Sequence, residues 1–172
     1  MTIRSGNLIS NITGGVFTGV IVVYPDNDYA LDSPASVLAS YIVGAALMSV
    51  PSDDDDWPLY IATLPEGVDE AGAILNTTAV KDGRSMKDGD RFQHYGIEII
   101  IRALTEEAGW GRCVVIAEDL ETIHNETVVR DDVSYQIRNI SMMGGINSLG
   151  QEEGTKRRRL FSMNFIMALE EL

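Results

Sequence analysis

Residues Arg91–His124 read RFQHYGIEIIIRALTEEAGWGRCVVIAEDLETIH, and the hydrophobic period changes once along them. In the first part Tyr95, Ile97, Ile99, Ile101 and Ala103 share one face, with His94, Gly96, Glu98 and Arg102 on the other. That two-residue repeat is the pattern of a half-buried strand. From Ala108 onward Ala108, Cys113, Val114, Ala117, Leu120 and Ile123 recur at helical spacing instead. Thr105 stands ahead of Glu106 and Glu107 as an N-cap with acids in the first turn, where the helix dipole favours them. The reading predicts a long central strand running straight into an amphipathic helix.

Downstream, the chain returns to strands. Val133, Tyr135 and Ile137 alternate with Ser134, Gln136 and Arg138, after which Ile140 and Met142 fall on the opposite phase, predicting a bulge near Asn139. In the closing run RRLFSMNFIMAL, Phe161, Met163, Phe165, Met167 and Leu169 point one way and Ser162, Asn164 and Ala168 the other. Between these strands lies MGGINSLGQEEGTKRR, glycine-rich and without periodicity. Loops of that length in a compact domain commonly carry function. It is the place to look for a partner.

Upstream, Ser33 and Pro34 make a helix start, and the apolar run from Val37 predicts a helix to Met48 or Val50, ended by Pro51. Its residues Val37, Leu38, Tyr41, Ile42, Ala45, Ala46 and Met48 cover nearly the whole circumference. Such a helix needs cover on more than one side, from the core, an arm or a neighbouring subunit. Ser52–Asp56, SDDDD, is the most charged point and reads as a solvated loop. Trp57–Leu64 is a predicted strand, Gly67–Gly72 a turn and Ala73–Val80 another strand. The polar excursion KDGRSMKDGD then suggests a hairpin leading into the central strand. Residues 5–20 are rich in Gly, Ser, Asn and Thr, followed by a short strand-like VIVVYP. Asp26, Asn27 and Asp28 lack the glycine and distal glutamate of a calcium loop and read as a turn.

These segments predict an α+β fold: a mixed, mainly antiparallel sheet with two main helices packed on it. Residues 33–172 form the single domain and residues 1–32 an N-terminal arm. The arm is expected to be poorly ordered in an isolated subunit and to order against a neighbour or a head protein.

Charge narrows the function. With 26 acids against 13 bases in 172 residues, the net charge of −13 argues against a protein that grips nucleic acid through its phosphates. Of the 13 bases only Arg4 precedes Lys81, so the two halves face different surroundings or each other. The single cysteine, Cys113, lies on the apolar side of the helix with no flanking His or basic cluster and reads as a buried, inert thiol. The N-terminus lacks a signal-peptide pattern, which places the expected site of synthesis and use in a cytoplasm. Val37–Val50 falls short of the roughly 20 residues a bilayer span needs, so no membrane partner is expected.

No catalytic set emerges. His94 and His124 belong to different elements and to no metal-ligand pattern, and no nucleophile elbow, phosphate loop or dinucleotide fingerprint occurs. Neither a cofactor nor a metal is expected, and the chain reads as a non-enzyme. The candidate binding feature is the basic run Lys156, Arg157, Arg158 and Arg159 at the start of the last strand, suited to a salt-bridged contact with an acidic neighbour.

The strand-helix unit HYGIEIIIRALTEEAGWGRCVVIAEDLETI, the strand YQIRNISM, the glycine-rich loop and the closing GTKRRRLFSMNFIMAL together resemble the tail-terminator or tail-completion proteins of long-tailed bacteriophages, also called minor capsid proteins. The resemblance covers roughly Ser33–Leu172 and lies in layout and texture. It implies a small α+β structural protein without an active site, assembled as a hexameric ring in the virion neck. That ring would cap the tail tube, meet the tube protein on one face and the head connector or head-closure protein on the other, and let DNA pass without specific binding. The loop Gly144–Arg159, with Gly144, Gly145, Asn147 and Gln151, and the hairpin Lys81–Arg91, with Arg84 and Lys87, match the family's partner-contacting loops. The arm is longer than the compact family form, and the aspartate run is unfamiliar in it.

The alternative within the neck is a head-closure or connector adaptor; a small-molecule-binding module or an acidic DNA mimic stands further off. Ring closure needs two non-identical, complementary patches on each subunit. Asp53, Asp54, Asp55 and Asp56 on one side and Lys156–Arg159 on the other are the expected pair.

Overall fold

Two strands of 13 residues, Arg91–Ala103 and Arg159–Glu171, lie antiparallel at the centre of a computed structural model that describes residues 32–51, 56–78, 80–84, 91–154 and 157–172. For residues 80–84, 91 and 92 only the backbone is described. The expected arm, bar Asp32, and its VIVVYP segment lie outside the described residues. In chain order the elements are α1 (Pro34–Gly44), β1 (Leu59–Ile61), β2 (Ala71–Asn76), β3 (Val80–Arg84), β4 (Arg91–Ala103), α2 (Glu106–Leu120), β5 (His124–Arg130), β6 (Val133–Met142), β7 (Asn147–Gln151) and β8 (Arg159–Glu171). Both helices pack on one curled sheet, ordered β1-β2-β4-β8-β6-β5, with β3 also on β4 and β7 also on β8. Among the described strands all pairings are antiparallel except β1 with β2, next to which an isolated parallel bridge joins Ser49 to Pro58. The fold is α+β with a mixed sheet.

The register explains the core. Tyr95, Ile97, Ile99 and Ile101 of β4 stand opposite Met167, Phe165, Met163 and Phe161 of β8, so two strict alternations put their apolar sides on the same face. All eight are buried beneath the helices, joined by Ile116 and Leu120 of α2 and Leu38 and Ile42 of α1. Each central strand divides its free edge between two partners. On β4, β3 pairs near Arg91–His94 and β2 along Ile97–Arg102; on β8, β7 pairs along Arg159–Ser162 and β6 along Phe165–Glu171. The chain crosses from β2 to β3 over Gly96, where a Cβ would lie 2.3 Å from Thr77 Oγ1 and 2.5 Å from the Thr78 carbonyl. Only glycine permits that approach.

The helix starts stand as read. Ser33 Oγ accepts from Ser36 N at 3.1 Å, and Thr105 Oγ1 accepts from Ala108 N at 3.1 Å. The helix ends are earlier than expected. Helix α1 stops at Gly44, because Ala46 adopts φ +56° and Leu47 N–H returns to the Ile42 carbonyl while Ala46 N–H returns to Val43. This is a Schellman closure with alanine in the left-handed position, carried by the buried Ile42 and Leu47. Helix α2 ends at Leu120, so Ile123 is buried beyond the helix in the turn leading to β5.

The strands depart from expectation in four places. The strand expected over Trp57–Leu64 shrinks to Leu59–Ile61, bounded by the left-handed Trp57 and Ala62. The strand expected over Ala73–Val80 starts at Ala71 and stops at Asn76, Val80 belonging to the next hairpin. An additional strand, β5, occupies His124–Arg130 and joins β6 through Asp131 and Asp132, both at positive φ, a two-residue hairpin turn matched to sheet twist. The aperiodic loop contains β7. The expected bulge is present, as a register shift between Ile137 and Asn139 against β8.

Candidate assembly surface

The basic run enters β8 beside the C-terminal end of β4, and its members have separate surroundings. Arg158 turns inward: its Nε donates to Asp69 Oδ1 at 2.8 Å and its guanidinium to the Glu66 carbonyl at 2.5 Å. Arg159 opens β8 opposite Ala103 and lies 3.3 Å from Glu106 at the start of α2. Arg157 is exposed. Lys156 lies outside the described residues. Arg157 and Arg158 precede the strand, and it is the partners each meets, Asp69 and the Glu66 carbonyl for Arg158 and Glu106 for Arg159, that separate these adjacent arginines.

Beneath Arg158 lies Arg102, only 3% exposed on the sheet face away from the helices. It donates to the carbonyls of Pro65 at 2.6 Å and Val68 at 3.1 Å and forms a short ion pair with Glu152 Oε1. Glu152 Oε2 is 3.6 Å from Arg158, within range of charge attraction but beyond a hydrogen bond. Two arginines and one glutamate therefore hold the β1–β2 loop and the β7–β8 connection against the same end of the sheet. A guanidinium out of water requires such partners, since an unpaired buried charge is costly. The signal for this clamp is Arg102 directly after the apolar run Ile99–Ile101, a cation at the inner end of a strand whose other charged residues lie further back.

Around the clamp the surface opens into a shallow depression of about 390 Å³ lined by Leu104, Gln151, Arg157 and Arg159. Leu104 is 40% exposed, and Gln151 pairs with Arg159 across β7 and β8. One leucine beside two cations and an amide suits a carboxylate-bearing segment. Gly144, at φ +86°, Gly145 and Asn147 are exposed at the turn into β7, with the Asn147 amide on the Gly145 carbonyl at 3.3 Å. Arg84 pairs by backbone with Arg91 in the β3–β4 hairpin. Lys87, Asp53, Asp54 and Asp55 lie outside the described residues. Asp56 is exposed, and its carbonyl accepts from Ser49 Oγ at 2.9 Å.

Other polar groups brace the packing. Tyr135 OH donates to Asp32 at 2.8 Å, and Arg130 reaches Asp32 at 3.2 Å, tying the start of α1 to the β5–β6 hairpin. Tyr41 OH donates to Asp119 at 2.9 Å, tying α1 to α2. Burial first, then the bonded carboxylate, pushes Tyr135 and Tyr41 up to about 12. Burial alone pushes the Cys113 thiol up to about 12, so it stays protonated. Arg112 donates to the Leu47 carbonyl at 2.8 Å and stacks 4.8 Å from the Trp57 ring centroid, supporting that residue's left-handed backbone. Among the described residues no three His, Cys, Asp or Glu side chains gather as a metal site, and no helix is long and apolar enough to cross a membrane.

No protein-family model matches this chain, and no curated protein matches it. One solved structure, whose name describes no activity, aligns with 78% of this chain and 89% of its own at 10% identity and a TM-score of 0.40. Likeness at that level transfers nothing to this chain.

Proposed function

We propose that this chain is a structural protein of a phage neck, a tail terminator that closes into a hexameric ring, caps the tail tube and joins it to the head. One observation carries the reading. The stretches that bear the family resemblance, His94–Ile123 and Gly154–Leu169, supply β4, α2 and β8, the spine on which the other strands are hung. Charge supports it, because a strongly acidic ring repels a duplex and lets it slide. Exposed turns at Asp131–Asp132 and Gly144–Gly145 are open to neighbours, and the Leu104–Arg157 depression suits an acidic one.

The subunit contact proposed from the sequence changes in detail. Arg158 is engaged with Asp69, Glu66 and Glu152 of its own chain, so reversing Arg157, Arg158 and Arg159 together would break the clamp as well as any interface. Arg157→Glu alone is the cleaner probe. The test of the reading is the native mass across a concentration series, with and without purified tail tubes. The expected result is a species of six subunits, or rings on tube ends only. A stable monomer or dimer that ignores tubes overturns it, and binding to heads but not tubes replaces it with the head-closure adaptor.

A further inference from the structure

The two ends of β8 carry complementary surfaces. At one end lies the depression of Leu104, Arg157 and Arg159. At the other, past Glu171, lies the β5–β6 turn, since Tyr135 stands opposite Glu171 and Leu172 N–H bonds the Ser134 carbonyl. A 13-residue strand separates them by roughly 40 Å of contour. The turn presents Asp131 and Asp132, both exposed, with Val129 beside them at 66% exposure. Arg130, the nearby cation, bonds Asp32, Ser36 and Ser40 and also lies 3.8 Å from Asp131, so it offsets part of the charge of a tip that carries two carboxylates.

We infer that the Asp131–Asp132 turn of one copy docks into the Leu104–Arg157 depression of the next. The proposal rests on the ring reading and deepens it by naming the head-to-tail contact. Three features favour it. The carboxylates meet the exposed Arg157 beside Arg159, which lies 3.3 Å from its own Glu106, and Val129 meets Leu104, so charge and apolar surface both match. The two-residue turn is preformed and the loops beside the depression are held by the clamp, which limits the ordering entropy that opposes docking. The patches are non-identical, as a head-to-tail contact requires, and the rotation from one copy to the next decides whether the series closes into a ring.

The test mixes two full-length single variants, Asp132→Cys and Arg157→Cys, under a mild disulfide oxidant, with native mass measured in parallel on the unmodified chain. Disulfide-linked dimers should form in the mixture and in neither variant alone. Arg157→Glu should raise the concentration for half-assembly roughly tenfold or more, and Asp131→Lys with Asp132→Lys should restore it. Six-subunit assembly without cross-linking overturns this contact and leaves the ring reading standing. Cross-linking with assemblies of another size keeps the contact and overturns the hexamer; neither assembly nor cross-linking overturns both.

Discussion

The two ends of β8 carry similar charges and use them differently. At the Arg159 end, Arg102 is buried and Arg158 nearly so, and their acids belong to two loops that they hold in place. At the Glu171 end, Arg138 and Glu170 pair across β6 and β8 with both side chains about 40% exposed, and Asp131 is 82% exposed. Water decides the difference. A desolvated charge must be matched inside the chain and becomes structural, whereas a solvated pair contributes little and leaves its groups available to a partner.

The clamped end should break first. Replacing Arg102 with Met keeps the stem but strands Glu152 and the Pro65 and Val68 carbonyls, at a cost of about 3–5 kcal/mol. Denaturant unfolding measures it, and a loss under about 1 kcal/mol would show that the loops stay put without the clamp. On the helix side of the same end, Gly109→Ala would push a Cβ to 2.2 Å from Phe161 Cε2 and 3.0 Å from Ala103 Cβ. Overpacking of this kind costs about 1–3 kcal/mol, and an unchanged unfolding midpoint would mean that α2 can lift from β8 freely.

The sequence makes the centre of this contrast legible and not its ends. Regular alternation in β4 and β8, a period change at Thr105 and a phase slip near Asn139 each have a single structural meaning. In HNETVVR, by contrast, only Val128 is buried, so β5 has no repeat to read and is held by pairing with β6 through a turn of two aspartates. NSLGQ is mostly exposed and becomes a strand only because β8 offers an edge. The basic run is the sharpest case. Four like charges in a row read as one patch, and the acidic β1–β2 loop draws Arg158 inward and leaves Arg157 outside.

Alkaline titration sharpens the contrast from a buried group at the open end. Tyr135 holds its proton to about 12 when folded against an ordinary value of 10.0, so its contribution is full below pH 10. As pH rises from 10 to 12 the unfolded chain ionises while the folded one does not, and stability falls. Tyr41 adds the same trend, and Cys113 extends it downward from its ordinary 9.0. Tyr135→Phe should flatten the decline between pH 10 and 12 relative to the unmodified chain. Parallel curves would show that the buried Tyr135 hydroxyl contributes nothing to the alkaline decline.

The smallest effect is expected where the solvated pair stands. Arg138 Nε donates to Glu170 at 2.8 Å, a geometry as good as any in the clamp, and geometry alone would rank the two pairs together. Exposure ranks them apart, because each partner of the Arg138 pair exchanges protein contact for water at nearly even cost. Arg138→Ala should therefore cost less than about 1 kcal/mol, and a cycle with Glu170→Ala should return a coupling of about 0.2–1 kcal/mol that shrinks as salt is added. A coupling that matched the Arg102 loss and ignored salt would mean that the bulge at Arg138 shields its pair. The charges of the open end would then be bound into the fold as firmly as those of the clamped one, with less of that surface left for a neighbour.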